Sequence, residues 1–352
     1  MSSKRALIVK MGAIGDVITV VPAVRALYEQ GFEIHWVCGK AVRKLLECYP
    51  WAKLIPVDDA AILKGNSFER LRSISALWQR IAWQKWDLVA TLYFDPRYRL
   101  LTLPVRATKK VALSTQTRER NLIAVRSYSD EFARILLGTH DSCRPRGLEP
   151  LRPDIVPLSP LPAPTKSRRI ALVPGGTSNL MSQQTLRRWP IEHYVAVARE
   201  IMKRDWEILL LGGPEDEWVK PYFNGIETID CIARVSIPEV ISVCDSCDVV
   251  ITHDTGPMHL AGLSRAGVVA IFGPTNPGHV LPRRPGVIAL WGGQQFACRP
   301  CYDLRSYAQC ESADCIKEVT PEMVIRQMDR LIESASPGKS PASWEVLFPI
   351  MA

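Results

Sequence analysis

The stretch "DVVITHDTGPMHLAGLSRAGVVAIFGPTNP", residues 248–277, holds two apolar runs, "DVVITH" and "VVAIFG", with a helical segment, "PMHLAGLSRA", between them. Strands of this length joined through one helix run parallel, and a parallel sheet is covered by helices on both faces. The same alternation extends in both directions. Before it stand "RRIALVPGG" as strand, "IEHYVAVAREIMKR" as helix, "EILLLGG" as strand and a helix near residues 238–245. From the start of the chain, "RALIVK" reads as a strand, and "DVITVVPAVRALYEQ" puts Val17, Val20, Val24 and Leu27 on one helical face before Gly31 closes it. "EIHWVCG" is a strand, "SFERLRSISALWQRIAWQ" a helix, and "DLVATLYF" and "KKVALS" are further strands.

Between Pro145 and Pro164 lie seven prolines, a composition that neither a helix nor a central strand tolerates. This segment is read as a linker. It separates a first domain, residues 1–150, from a second, residues 165–335, and the 352-residue length suits two such domains. "TPEMVIRQMDRLIESA" is a closing helix with Thr320 as N-cap and Pro321 at the first helical position. The tail, residues 336–352, ends in apolar residues and is expected to dock on the first domain.

Lys and Arg total 44 against 36 Asp and Glu, and the net charge of +8 favours an anionic ligand or surface without choosing among them. No run reaches the roughly 18 apolar residues of a membrane helix, and the charged start lacks a secretory pattern. A cytoplasmic location is expected, with the ten cysteines reduced or holding a metal.

In an open parallel sheet, ligands collect beyond the carboxyl ends of the strands. Three junctions there are unusual. "KMGAIGDV" has Gly12 and Gly15 for close backbone approach and Asp16 at a helix start, where a lone acid would ordinarily only cap the helix. "LVPGGTSNLMSQQTLRRWP" offers the amides and hydroxyls of Gly175, Gly176, Thr177 and Ser178, with Arg187 and Arg188 supplying charge, an arrangement suited to a diphosphate. In the third, Asp254 can cap the helix, Thr255, Gly256, Pro257 and Met258 open it, and His259 lies on its first turn. The dinucleotide fingerprint and the Gly-Lys-Ser/Thr phosphate loop are both missing, which argues against an oxidoreductase.

With these residues in view, the chain resembles the family 9 glycosyltransferases, the ADP-heptose:lipopolysaccharide heptosyltransferases. The likeness runs from "LIVKMGAIGDVITVVPAVRAL" through "VPGGTSN" and "RRWPIEHYVAVA" to "HDTGPMHLAGLSRAGVVAIFGPTNP". The resemblance implies a GT-B architecture, an α/β fold of two Rossmann-like doubly wound domains facing across a cleft. It implies an inverting transfer of heptose from ADP-heptose to a hydroxyl of the lipopolysaccharide inner core, with Asp16 as general base and no catalytic metal. Gly15, Thr177, Ser178, Asp254, Thr255, Gly256, Pro257, Met258 and His259 fall on the donor-binding runs, and Glu215 is a candidate for a ribose hydroxyl. Arg187 stands where members usually carry Lys and would meet the leaving diphosphate with a larger, forked cation. The loop from Asn179 to Thr185 is longer than the resemblance requires.

From Arg97 to Arg126 there are eight basic residues against one acid, Glu119. A charge run is ordinarily a solvated face. Beside a family whose acceptor is a phosphorylated, lipid-anchored saccharide, Arg97, Arg99 and Arg120 become acceptor candidates and the patch a contact with the inner face of the inner membrane. Cys298, Cys301, Cys310 and Cys315 are spaced by two, eight and four residues, which suits a structural metal; two disulfides or free thiols are the alternatives. Zinc fits a cytosolic protein, and iron is the choice if the chain follows related protein heptosyltransferases. Other readings are transfer of heptose to protein hydroxyls, use of another nucleotide sugar, and a non-enzymatic nucleotide- or nucleic-acid-binding protein.

Overall fold

The computed structural model describes residues 4–113, 127–138, 148–177, 184–298, 301, 309–335 and 342–349. It divides into two units, Met1–Ile155 and Val156–Ala352. The division falls inside the proline-rich segment, whose two ends are fastened separately. Tyr49 donates its hydroxyl hydrogen to the Leu151 carbonyl at 2.7 Å and the Ile155 amide donates to Cys48, while Arg169 donates to the Pro162 carbonyl.

The first unit is a five-stranded parallel sheet in the order β3-β2-β1-β4-β5, with β1 Lys4–Val9, β2 Phe32–Cys38, β3 Ala52–Pro56, β4 Trp86–Thr91 and β5 Ala107–Ala112. Helix α1, Ile14–Glu29, follows β1, and Val17, Val20, Val24 and Leu27 are all buried as their spacing requires. Gly31, at φ +86°, makes the turn into β2. Lys109 and Lys110 are exposed on the edge strand β5, where lysines discourage pairing with another sheet.

The second unit is a seven-stranded sheet in the order β12-β11-β10-β9-β6-β7-β8, again parallel throughout. Its strands are β6 Arg169–Leu172, β7 Glu207–Gly212, β8 Ile229–Ile232, β9 Val249–His253, β10 Gly267–Phe272, β11 Val287–Trp291 and β12 Glu345–Leu347. The closing helix, Pro321–Ser334, has Thr320 as N-cap with its side chain accepting from the Met323 amide, and buries Val324, Met328 and Leu331. The tail corrects the docking expectation. Glu345–Leu347 form the edge strand of the second unit's own sheet, and Phe348 packs on Trp291 at 5.7 Å.

In both sheets the strand order reverses once, between β1 and β4 and between β6 and β9. Those two reversals open crevices at the carboxyl ends of the strands, where bound ligands are held in doubly wound sheets.

A buried ion pair braces the start of the second unit. Arg169 is 1% exposed and donates to Glu207 at 2.6 Å, and Thr165 donates to the same carboxylate through its amide and its hydroxyl. Burial alone would raise the Glu207 carboxyl, but the bonds from Thr165 and Arg169 outweigh it and push the group down to about 2. A carboxylate depressed on folding contributes stability above its unfolded value, near 4.5, and loses it as pH falls toward 2. Glu207→Gln, which leaves the buried guanidinium unpaired, is expected to cost about 3–5 kcal/mol at neutral pH and to flatten the stability loss over that acid window. Urea unfolding across pH checks both; parallel pH profiles for variant and wild type would contradict the assignment.

Candidate functional site

Beyond β1, the chain runs through Lys10, Met11 and Gly12 into α1, and Asp16 is the third residue of that helix. The N-cap is Ala13, with no side-chain cap bond, so Asp16 does not cap the helix. Its Oδ2 instead accepts from the Lys10 ammonium at 2.7 Å, and its side chain is 39% exposed while that of Lys10 is 1% exposed. The first helical turn favours a negative charge at this position. The Lys10 ammonium also lies 4.5 Å from the Tyr93 ring centroid, just past β4. Asp16 thus sits at the reversal point of the first sheet as an accessible carboxylate beside a buried cation. Gly15 is buried within α1. A side chain at Gly12 would meet nothing within 4 Å, so close packing does not explain that glycine.

The second reversal point is assembled from three segments. After β6 the chain turns through Gly175, Gly176 and Thr177, the last two at φ +85° and +70°. Asp216 holds this turn: the Gly176 amide donates to its Oδ1 at 2.7 Å and the Gly213 amide to its Oδ2 at 2.8 Å. A Cβ at Gly175 would lie 2.2 Å from the Asp216 carboxyl carbon, so only glycine fits there. Arg188 donates to the Gly176 carbonyl and to Thr177 Oγ1, both at 3.2 Å, and its guanidinium lies 4.5 Å from the Trp218 ring. After β9, Asp254 accepts from Arg187 at 3.2 Å and from the Thr275 hydroxyl at 2.8 Å.

The sequence-derived residues therefore divide by position. Thr177, Arg187, Asp254, Thr255 and Gly256 converge on the second crevice. Ser178 and Arg120 lie outside the described residues. Glu215 is exposed on the short 3₁₀ segment Pro214–Phe223, whereas its neighbour Asp216 is the buried acid that shapes the turn. Among three consecutive acids the sequence offered no signal to choose it. The helix after Thr255 covers only Gly256–Gly262; Pro257 has no amide hydrogen to offer, Met258 is fully buried, and His259 is 7% exposed. His253 is completely buried, shares a 2.9 Å hydrogen bond with the Tyr194 hydroxyl, and is pushed down to about 3 by burial and by the neighbouring Arg187 and Arg188, so it is neutral. Among the described residues, the Thr255 hydroxyl and the Arg188 Nε are buried without a hydrogen-bond partner, polar groups facing a turn built of amides and cations.

Of the acceptor candidates, Arg97 is paired with Asp95, donating to its Oδ1 through Nε at 2.9 Å, and with the Leu63 carbonyl, while Arg99 is exposed.

Cys298, Cys301, Cys310 and Cys315 line one pocket of about 120 Å³ together with Leu186, Pro274 and Phe296. None of the four forms a disulfide, and among the described residues no three His, Cys, Asp or Glu side chains are gathered as a metal-holding group. The residues as placed do not fit a bound metal ion. Burial pushes Cys38 and Cys247 up to about 12, and burial with the neighbouring Cys301, Cys310 and Cys298 pushes Cys315 up to about 11. At pH 8 a thiol reagent is therefore expected to label exposed Cys298 and Cys310 in the native protein and to spare Cys38, Cys244 and Cys247. Peptide mass spectrometry reads this directly; protection of Cys298 and Cys310 that a chelator lifts would contradict the free-thiol arrangement.

The comparisons with known proteins agree with this geometry. Residues 162–312 match the model of glycosyltransferase family 9 (heptosyltransferase). The lipopolysaccharide heptosyltransferase 1 of Pseudomonas aeruginosa is 25% identical over 360 residues, spanning 93% of this chain and 98% of that protein. The chain is thus similar to glycosyltransferase family 9. It is a glycosyltransferase. The likeness to lipooligosaccharide heptosyltransferase 2 of Haemophilus influenzae, 24% identical, covers 42% of this chain and 43% of that protein. Among solved structures, a family 9 glycosyltransferase of Veillonella parvula superposes with a TM-score of 0.72 at 21% identity, covering 95% of this chain and 99% of that one. The Escherichia coli ADP-heptose lps heptosyltransferase II superposes at 0.66 and 15% identity, covering 94% and 98%. The iron-containing dodecameric glycosyltransferase TibC of enterotoxigenic E. coli does so at 0.60 and 14%, covering 95% and 77%. These likenesses show the fold, an α/β pair of Rossmann-like units.

Proposed function

We propose that this chain acts as a family 9 glycosyltransferase and transfers heptose from ADP-heptose to a hydroxyl of the lipopolysaccharide inner core, with inversion at the anomeric carbon. The observation that carries the reading is Asp16, an accessible carboxylate paired with a buried ammonium at the reversal point of the first sheet. The full-length likeness to a lipopolysaccharide heptosyltransferase and the fold shared with an ADP-heptose-using enzyme support the donor and acceptor. In a single displacement, Asp16 takes the acceptor hydroxyl's proton, the oxygen bonds to the anomeric carbon, and the bond to ADP breaks with its electrons on the diphosphate. The leaving charge is met by Arg187 and by the turn at Gly176 and Thr177, groups already fixed by Asp254, Asp216 and Arg188. Exposed Arg99, Arg106, Lys109 and Lys110 are the acceptor- and membrane-facing cations of this reading, at the cytoplasmic face of the inner membrane. No helix among the described residues is long and apolar enough to cross a membrane.

The test is acceptor-dependent release of ADP from ADP-heptose, with the configuration of the new linkage read by NMR. Release with inversion is the expected result. A product that keeps the donor's configuration, or ADP-heptose held without release, would count against the reading.

A further inference from the structure

We propose that Lys10 is the positioning residue of the reaction, holding the Asp16 carboxylate so that one oxygen stays turned toward the acceptor hydroxyl; this rests on Asp16 as the base. Lys10 directly follows β1 with its side chain 1% exposed, an unusual place for an ammonium group, which burial penalises unless a partner offsets it. Its surroundings are built to keep it there. The Trp36 indole donates to the Lys10 carbonyl at 3.1 Å, and the Lys10 amide donates to Val37 at 3.2 Å, fixing the backbone. The Tyr93 ring, which packs 4.9 Å from Tyr98, presents its face to the ammonium. Burial keeps the Tyr98 hydroxyl protonated, so it does not compete as an anion. The ammonium then meets Asp16 Oδ2 at 2.7 Å. Among the described residues Oδ1 accepts no hydrogen bond, and the Thr19 hydroxyl binds the Asp16 carbonyl rather than its carboxylate.

One carboxylate oxygen is thus committed to Lys10 and the other is left for the proton. A carboxylate on a partly exposed helix start would otherwise sample several rotamers, and a base must be within hydrogen-bond reach of the proton it takes. In the proposed step the proton passes from the acceptor oxygen to Oδ1, and Lys10 remains an ammonium before and after. Its contribution is orientation, so it acts on turnover and not on substrate affinity.

The test is steady-state kinetics of Lys10→Met and Asp16→Asn, with thermal unfolding of each. Lys10→Met is expected to lower kcat about 100-fold while KM for donor and acceptor stays within about threefold. A kcat within threefold of wild type, or KM values that rise as steeply as kcat falls, would overturn the proposal. If Lys10→Met does not fold, Lys10→Gln replaces it, since it keeps a polar end in the buried position and loses the charge; the same outcomes apply. Asp16→Asn separates this from the reading beneath it. An inactive Asp16→Asn beside a fully active Lys10→Met overturns the Lys10 role alone, and a fully active Asp16→Asn overturns both.

Discussion

Asp16→Asn is expected to lower kcat by about 10²–10⁴-fold and to leave ADP-heptose affinity within about twofold of wild type. The amide is nearly isosteric, and its carbonyl oxygen can still accept from Lys10, so the geometry around α1 persists while the group that takes the proton is gone. The side chain caps nothing, and it is partly exposed, so the fold loses only the favourable charge at a helix start, about 0.3–1 kcal/mol. Kinetics with calorimetric titration of ADP-heptose separate the two effects. Parallel loss of turnover and donor affinity would mean that Asp16 shapes the protein and does not act in the step.

Asp216→Ala carries the second large effect, in the other unit. The carboxylate takes one hydrogen bond from each of two backbone amides, and it is 5% exposed. Hydrogen bonds to a charged group are worth roughly 1.5–3 kcal/mol each, so removing both is expected to cost about 3–6 kcal/mol. The Gly175–Thr177 turn would then lose the tie that sets its left-handed geometry, and ADP-heptose affinity should fall at least about tenfold. Urea unfolding reads the first loss and calorimetric titration the second. A variant of wild-type stability that binds the donor normally would show that the turn is held by other means.

The architecture was legible where the chain is most periodic. Val17, Val20, Val24 and Leu27 recur at helical spacing and face a sheet of nearly continuous apolar strands, so their burial follows from pattern alone. Sequence periodicity does not mark β3, β8, β11 and β12. Ile229–Ile232 is four residues long and Glu345–Leu347 three, too short to show a period, and they form because neighbouring strands supply their hydrogen bonds. The tail joined the second sheet because β11 leaves an edge that those residues can pair with.

The candidate site was legible in its glycines and acids but not in its pairings. By sequence Arg187 is a cation awaiting diphosphate; in the fold it is paired with Asp254. Lys10 at the end of an apolar run looks like a solvated charge, and only the packing of Trp36 and Tyr93 around it shows a buried one. Asp216 lies in "PEDE", where sequence makes three acids equivalent and the fold buries one. The spacing of the four cysteines suits a structural metal, but spacing does not fix where the thiols point, and among the described residues they line a pocket without forming a metal-holding group.

The central claim is that a carboxylate-driven heptose transfer takes place on this chain, and mass spectrometry of a heptose-deficient lipopolysaccharide core incubated with ADP-heptose tests it most directly. A gain of one heptose with the wild-type enzyme, and none with Asp16→Asn over the same time, is the predicted result. An unmodified core with the wild-type enzyme, or equal gain with both proteins, would contradict it.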